Sequence, residues 1–164
     1  MTGLVAFPAP GADPVGEEVV ADGWFPPVKL SAVRDIARLG DGVVPTARLV
    51  SAIEGGMLHA FRELSAWRTE RASAGIASLA ATTALTINGR NQAVALWERI
   101  VTYFAAADLQ GQYRDISATD DGLDRAAEKV TTADDSRRIA LAAVADLLSI
   151  GAASPVARNR VELI

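Results

Sequence analysis

The sequence contains no cysteine and a single histidine among its 164 residues. Without cysteine the chain forms no disulfide, iron–sulfur cluster, thiolate zinc site or cysteine nucleophile. With His59 alone, multi-histidine metal sites are excluded, and a serine–histidine–aspartate triad has one histidine to use. These absences remove common catalytic and metal-binding chemistries, and the sequence predicts neither a metal nor a cofactor.

Basic residues are absent from the first 27 positions, which contain the acidic residues Asp13, Glu17, Glu18 and Asp22. The rest of the chain carries 16 basic and 16 acidic side chains, so the whole net charge of −4 belongs to this arm. A nucleic-acid-binding domain usually carries a basic excess. The balanced body therefore argues against specific DNA binding.

Long apolar runs are also missing. The longest uncharged interior stretch, 72–89, is interrupted by Ser, Thr and Asn, which predicts a loop rather than a membrane span. The first ten residues lack the basic start and the continuous apolar core of a signal peptide. We therefore expect a soluble protein made in a cytoplasm, with no membrane partner.

Prolines divide the chain into three parts. Five of the seven lie in the first 27 residues, and the other two are Pro45 and Pro155. The long proline-free interval between them is rich in Ala, Leu, Arg and Glu, which favour helix. We predict an extended arm at 1–27, one helical bundle domain at 28–151 and an extended carboxyl-terminal tail at 152–164.

The hydrophobic periodicity predicts an all-α fold, a small bundle of four helices. The expected helices cover about 31–38, 45–74, 89–114 with Asn88 as its cap, and 119 or 120 to 151. The fourth helix has a weak centre at 131–136, where a break is one alternative. Strand-like alternation is confined to the last residues, 161–164.

The second helix is the longest element, at about 43 Å. Its apolar residues follow spacings of three and four, which predicts a narrow stripe of the coiled-coil type. The stripe consists of Leu49, Ile53, Met57, Ala60, Leu64 and Trp67. We expect that so long a rod in so small a chain is not covered by its own chain alone.

Two features point to close packing. Gly55 and Gly56 lie inside the second helix, where each costs about 1 kcal/mol relative to Ala, so they indicate a close helix approach or a kink. Trp24 and Phe25 lie in the proline-rich arm and either fold back onto the bundle or anchor on another subunit. With Met57, these four form the candidate set for inter-subunit or helix-packing contacts.

The candidate chemical sites are weak. His59 precedes Glu63 by one helical turn, and a surface His–Glu pair explains it better than a general base. The fourth helix opens on an acidic cluster without the spacing of a calcium loop, so helix capping explains it better than a metal ion. The cluster consists of Asp120, Asp121, Asp124 and Glu128.

One run, from Val44 to Met57, has the pattern Val-Pro-x-x-Arg-Leu-x-x-Ala-Ile-x-x-Gly-Met. Further matching residues are Phe25-Pro26, Glu63-Leu64, Arg71, Gly75, Leu79, Glu98-Arg99, Tyr113-Arg114, Val161 and Ile164. In these residues the chain resembles the head completion/stabilisation proteins of contractile-tailed temperate bacteriophages, which belong to the head–tail connector (adaptor) proteins. The resemblance covers most of 24–164, but neither 116–136 nor the arm 1–23.

The resemblance implies a non-enzymatic structural protein of the virion, placed at the head–tail junction and assembled in the host cytoplasm. Such a protein binds the portal protein after DNA packaging, stabilises the filled head and offers a surface to the next connector or the tail terminator. It forms a ring on the portal, expected to be a dodecamer, and duplex DNA passes through the lumen without specific binding.

The tail is the expected portal contact, added as a strand to an edge of the partner. The residues assigned to this contact are Val156, Arg158, Arg160, Val161, Leu163 and Ile164. Two other classes of function stay open at this point. One is a small helical adaptor or regulator that binds a host or phage protein through the same rod. The other is an enzyme that uses His59.

Overall fold

The computed structural model describes residues 17–36, 44–112 and 122–158, with side chains in the last range described from Ala133 onward. These residues are mostly helical, which confirms the all-α prediction. The helices are α1 Leu30–Ile36, α2 Thr46–Ser73, α3 Gln92–Gln112 and α4 Gly122–Leu148, with a one-turn 3₁₀ helix at Leu79–Thr82. The weak centre expected in the fourth helix does not interrupt α4.

Two short antiparallel pairs of strands accompany the helices, where the periodicity predicted none. β1 Glu18–Val19 pairs with β2 Val28–Lys29, and β3 Thr86–Ile87 pairs with β4 Arg90–Asn91. Asn88 and Gly89 form the turn of the second pair with φ of 51° and 72°. Both angles lie in the left-handed region that a two-residue hairpin turn requires.

The prediction that Asn88 caps the third helix is therefore wrong, because that residue belongs to the hairpin turn. The cap is Asn91, whose side-chain Oδ1 accepts hydrogen bonds from the backbone N–H groups of Ala93 and Val94, at 3.0 and 3.2 Å. A side-chain acceptor for these otherwise unpaired donors is what an N-cap supplies. Helix α3 starts at Gln92 as a result, three residues later than expected.

Helix α2 begins directly after Pro45, a residue that suits a helix start. It ends before Gly75, whose φ of 83° stops the helix as the sequence predicted. All six residues of the predicted stripe are buried within the single chain. The apolar stripe of this rod is therefore covered by its own chain, which corrects the expectation for the rod at these six residues.

Helix α3 is the centre of the bundle and packs against both α2 and α4, which contact each other only sparsely. The α2–α3 crossing depends on Gly56, because a Cβ there would lie 2.7 Å from the carbonyl oxygen of Val101 and 3.1 Å from the amide of Ala105. Gly55 has open space instead, with no atom within 4 Å of a Cβ. Of the two glycines, Gly56 therefore permits the close approach of α2 and α3.

Trp24 and Phe25 fold back onto the bundle and are buried. The Phe25 ring stacks on Trp97 with centroids 4.3 Å apart, and the Trp24 ring meets Trp67 edge-on at 5.9 Å. The indole N–H of Trp97 donates to the carbonyl of Pro26 at 2.9 Å. This aromatic packing joins the residues before α1 to the core. The predicted domain limits at 27/28 and 151/152 stay predictions.

Candidate functional site

The turn that leads into the carboxyl-terminal tail is fixed to the end of helix α2. The Arg71 guanidinium donates through Nη2 to the carbonyl of Ile150 at 3.0 Å and lies 5.6 Å from the centre of the Trp67 ring. Gly151 follows with φ of 74°, and a Cβ on it would lie 3.0 Å from the Arg71 nitrogens. The turn therefore requires glycine, and Arg71 holds it against the bundle.

The tail then runs back along α4. The backbone N–H of Val156 donates to Ser149 Oγ at 2.8 Å, and Arg158 donates to both carboxylate oxygens of Asp146 at 2.8 and 3.0 Å. Asp146 lies nearly one helical turn before Ser149, so the chain proceeds towards the beginning of the helix. The hydrogen bond to Asp146, aided by the charge of that carboxylate, raises the pKa of Arg158.

These contacts bear on the residues predicted for portal binding. Addition as a strand requires backbone groups that are free to pair, and the N–H of the half-buried Val156 is already bonded to Ser149. Arg158 is exposed but already paired. The other four residues, Arg160, Val161, Leu163 and Ile164, lie outside the described residues. Their role at the portal stays a prediction.

Asp22 fixes the turn that carries Trp24 and Phe25 to helix α2. The sequence analysis assigned no role to this residue. Its Oδ1 accepts the backbone N–H groups of Trp24 and Phe25 at 3.1 and 3.0 Å, and its Oδ2 accepts Arg68 Nη2 at 3.2 Å. The Arg68 guanidinium also lies 5.6 Å from the centre of the Trp24 ring. The Asp-Gly pair at 22–23 is a turn signal that predicts such side-chain-to-backbone bonds.

His59 lies on the exposed side of α2 and stacks on the Phe104 ring, with centroids 5.3 Å apart. Glu63, its predicted partner, is paired with Arg62 at 3.3 Å. In the described ranges no group of three His, Asp or Glu side chains is placed to hold a metal ion. The acidic cluster at 120–128 has no described side chains, so its predicted capping role is outside the described residues.

Within 17–36, 44–112 and 122–158, no helix is both long enough and apolar enough to cross a membrane.

Comparison with known proteins identifies the family. Residues 19–164 match the family model described as phage head completion protein (GPL). The head completion/stabilization protein of Escherichia phage P2 is 35% identical over 129 residues, which is 78% of this chain and 73% of that protein. No solved structure matches. The family match begins at Val19, which precedes the residues that carried the resemblance. The chain therefore belongs to the phage head completion protein family and has that family's structural role in completing the head.

Proposed function

We propose that this protein binds the portal protein after DNA packaging, stabilises the filled head there and provides the docking surface for the next connector or the tail terminator. The observation that carries the proposal is the anchored start of the tail. Contacts from α2 and α4 hold residues 150–158 on the bundle. Residues 159–164 follow directly, with one arginine and three large apolar side chains.

The tail supplies the portal contact in this proposal. Strand addition to an edge of the portal gives affinity through backbone hydrogen bonds, and alternate side chains give specificity. The residues assigned to it are Val156, Arg158, Arg160, Val161, Leu163 and Ile164. Because the Arg158 side chain is exposed, a carboxylate of the portal has access to it and can replace Asp146 as its partner.

A ring of copies, expected to number twelve, forms on the portal rather than in free solution. The balanced charge of the body and the burial of the α2 stripe within one chain support this order of events, because the stripe does not need a second copy to cover it. The isolated protein is therefore monomeric or weakly associated. Its function requires no catalysis and no cofactor, only assembly.

The test is a portal-binding assay with purified portal from the same phage and two truncated chains. Removing 159–164 should abolish binding and ring formation in electron micrographs while leaving the melting temperature unchanged, because every described tail contact ends at Arg158. Removing 1–16 is the matched control and should leave binding intact. If the tail-less chain still assembles on the portal, the tail assignment fails.

A different result would overturn the proposal as a whole. A full-length chain that ignores the portal and forms a monodisperse dimer instead would identify a small helical adaptor or regulator of another host or phage protein. Light scattering of the chain with and without portal distinguishes this result from portal binding.

A further inference from the structure

The segment that follows helix α4 has a fixed base and an exposed continuation. At the base, Ile150 packs against the hydrophobic core and its carbonyl accepts Arg71 Nη2 at 3.0 Å. Gly151 then makes its turn directly beside the Arg71 guanidinium. From 151 to 155 every residue is exposed. We name residues 152–158 the strap, because they leave this fixed base and return along the surface of α4.

Two polar groups at the end of α4 hold the far end of the strap. The hydroxyl of Ser149 donates its only proton to the carbonyl of Ala145 at 2.7 Å, so its oxygen is left to accept the N–H of Val156 at 2.8 Å. Arg158 donates through Nε and Nη2 to the two carboxylate oxygens of Asp146 at 2.8 and 3.0 Å. We name these contacts of Ser149 and Asp146 the catch.

The catch is weak enough to open reversibly. The side chains of Arg158 and Asp146 are 67% and 36% exposed, and an ion pair so accessible to water shifts an equilibrium by up to about fivefold. A groove of about 160 Å³ separates the strap from the bundle, with Val144 and Leu148 on one side and Val156 on the other. Because this contact is not close-packed, its opening disrupts little apolar packing.

The catch occupies the same groups that the proposed portal contact uses. Addition of a strand to the edge of a partner requires backbone N–H and carbonyl groups that are free to pair. The N–H of Val156 is already bonded to Ser149, and the guanidinium of Arg158 is already bonded to Asp146. A single N–H does not make a full hydrogen bond to two acceptors at once. The held strap and a portal-bound strand therefore exclude each other at these two residues.

We propose that the strap is autoinhibitory: Ser149 and Asp146 hold residues 156–158 on α4 in the free protein, and the tail binds the portal only after this catch opens. The inference rests on the tail contact under Proposed function and adds a step that controls it. The apparent Kd for the portal then equals the intrinsic Kd divided by the fraction of molecules with an open catch. Weakening the catch tightens binding, and locking the catch prevents it.

Asp146→Asn weakens the catch, because it removes the charge and one of the two acceptor oxygens. The apparent Kd for purified portal should fall about two- to fivefold, and the Val156 amide of the free chain should exchange its hydrogen faster. The matched control is Asp134→Asn, which removes the same charge from the same helix at the partner of Arg137, away from the strap. It should leave both the Kd and the exchange of Val156 unchanged.

A disulfide gives the opposite test, since the chain has no native cysteine. The hydrogen bond from Val156 to Ser149 keeps their Cα atoms within roughly 7 Å, the range that a disulfide spans. The chain with Ser149→Cys and Val156→Cys, once oxidised, should bind the portal at least tenfold more weakly than the same chain after reduction. Mass spectrometry after alkylation verifies the disulfide. The unsubstituted chain, with and without reductant, controls for effects of the reductant on the portal.

The outcomes separate the strap from the proposed function. If the unsubstituted chain binds the portal but Asp146→Asn binds no more tightly than Asp134→Asn, the catch does not control binding and the inference is overturned. Undiminished portal binding by the oxidised disulfide chain overturns it as well. In both cases the proposed function stands. If the unsubstituted chain does not bind the portal, the proposed function fails and the inference fails with it.

Discussion

At the scale of single residues, a few polar groups position large parts of the molecule. The Asp22 carboxylate holds the backbone at Trp24 and Phe25 and also receives Arg68 from α2. Arg71 ties the end of α2 to the turn after α4. In both cases an arginine near the end of α2 secures a segment that is distant in sequence. The last turns of α2 are therefore a shared anchor for both ends of the described chain.

Asp22→Ala should destabilise the protein by about 1–2 kcal/mol. Hydrogen bonds to a charged acceptor contribute roughly 1.5–3 kcal/mol, and the partial exposure of this carboxylate reduces the effect. The free energy of unfolding in urea checks this. Asp35→Ala is the control, because Asp35 is exposed on α1. Equal stability of the two variants would contradict the anchoring role of Asp22.

At the scale of elements, the sequence predicts best those helices and buried faces that follow from the local spacing of apolar residues. The stripe of α2 follows from spacings of three and four, and all its members are buried. The β3–β4 hairpin was missed although Asn88-Gly89 is a hairpin signal, because two-residue strands show no alternation. The sequence does not decide whether Trp24 and Phe25 pack on their own chain, as they do on Trp67 and Trp97, or on another subunit. The sequence pattern does not state which chain supplies such a contact.

The position of the anchored tail is another feature that local sequence patterns do not predict. The bonds from Val156 to Ser149 and from Arg158 to Asp146 depend on the turn at Gly151, whose direction is set by Arg71, 80 positions earlier in the chain. Composition identifies an extended tail after Pro155, but it does not state where the tail lies. Tertiary placement therefore accounts for most of what the sequence left undetermined at the candidate site.

The two adjacent glycines of α2 should respond oppositely to alanine. Gly56→Ala places a Cβ 2.7 Å from the backbone oxygen of Val101, and overpacking of this kind costs about 1–3 kcal/mol. Gly55→Ala has open space and should stabilise the helix by up to about 1 kcal/mol. Thermal unfolding of both variants measures the contrast. A stable Gly56→Ala protein would contradict the close crossing of α2 and α3.

Leu64→Asp should unfold the bundle. Leu64 is fully buried in the α2 stripe, and a buried unpaired carboxylate costs about 3–5 kcal/mol, a large fraction of the stability of a small domain. Leu58→Asp changes the same residue type on the exposed side of the same helix and should remain folded. Circular dichroism with thermal melting distinguishes the two. Native helicity and an unchanged melting temperature in Leu64→Asp would refute the core assignment.

At the scale of the whole molecule, charge balance is the property that matters for assembly. As a head completion protein, the chain is a component of the virion and interacts with head and tail components of the phage. The helices pair many of their arginines with nearby acids, among them Arg62 with Glu63, Arg137 with Asp134 and Arg138 with Asp135. The helices therefore present a surface of mixed charge rather than a basic one.

Duplex DNA should therefore not bind tightly to the protein. Phosphate contacts gain their affinity from released counterions, and each requires a basic side chain that is free to face the backbone of the DNA. Here Asp134 and Asp135 occupy Arg137 and Arg138. Fluorescence anisotropy with a labelled duplex at physiological salt should show no binding at about 1 µM protein. Replacing both aspartates by asparagine frees the two arginines and should produce DNA binding that weakens as salt rises. Submicromolar binding by the unsubstituted chain, steeply lost as salt rises, would contradict this prediction.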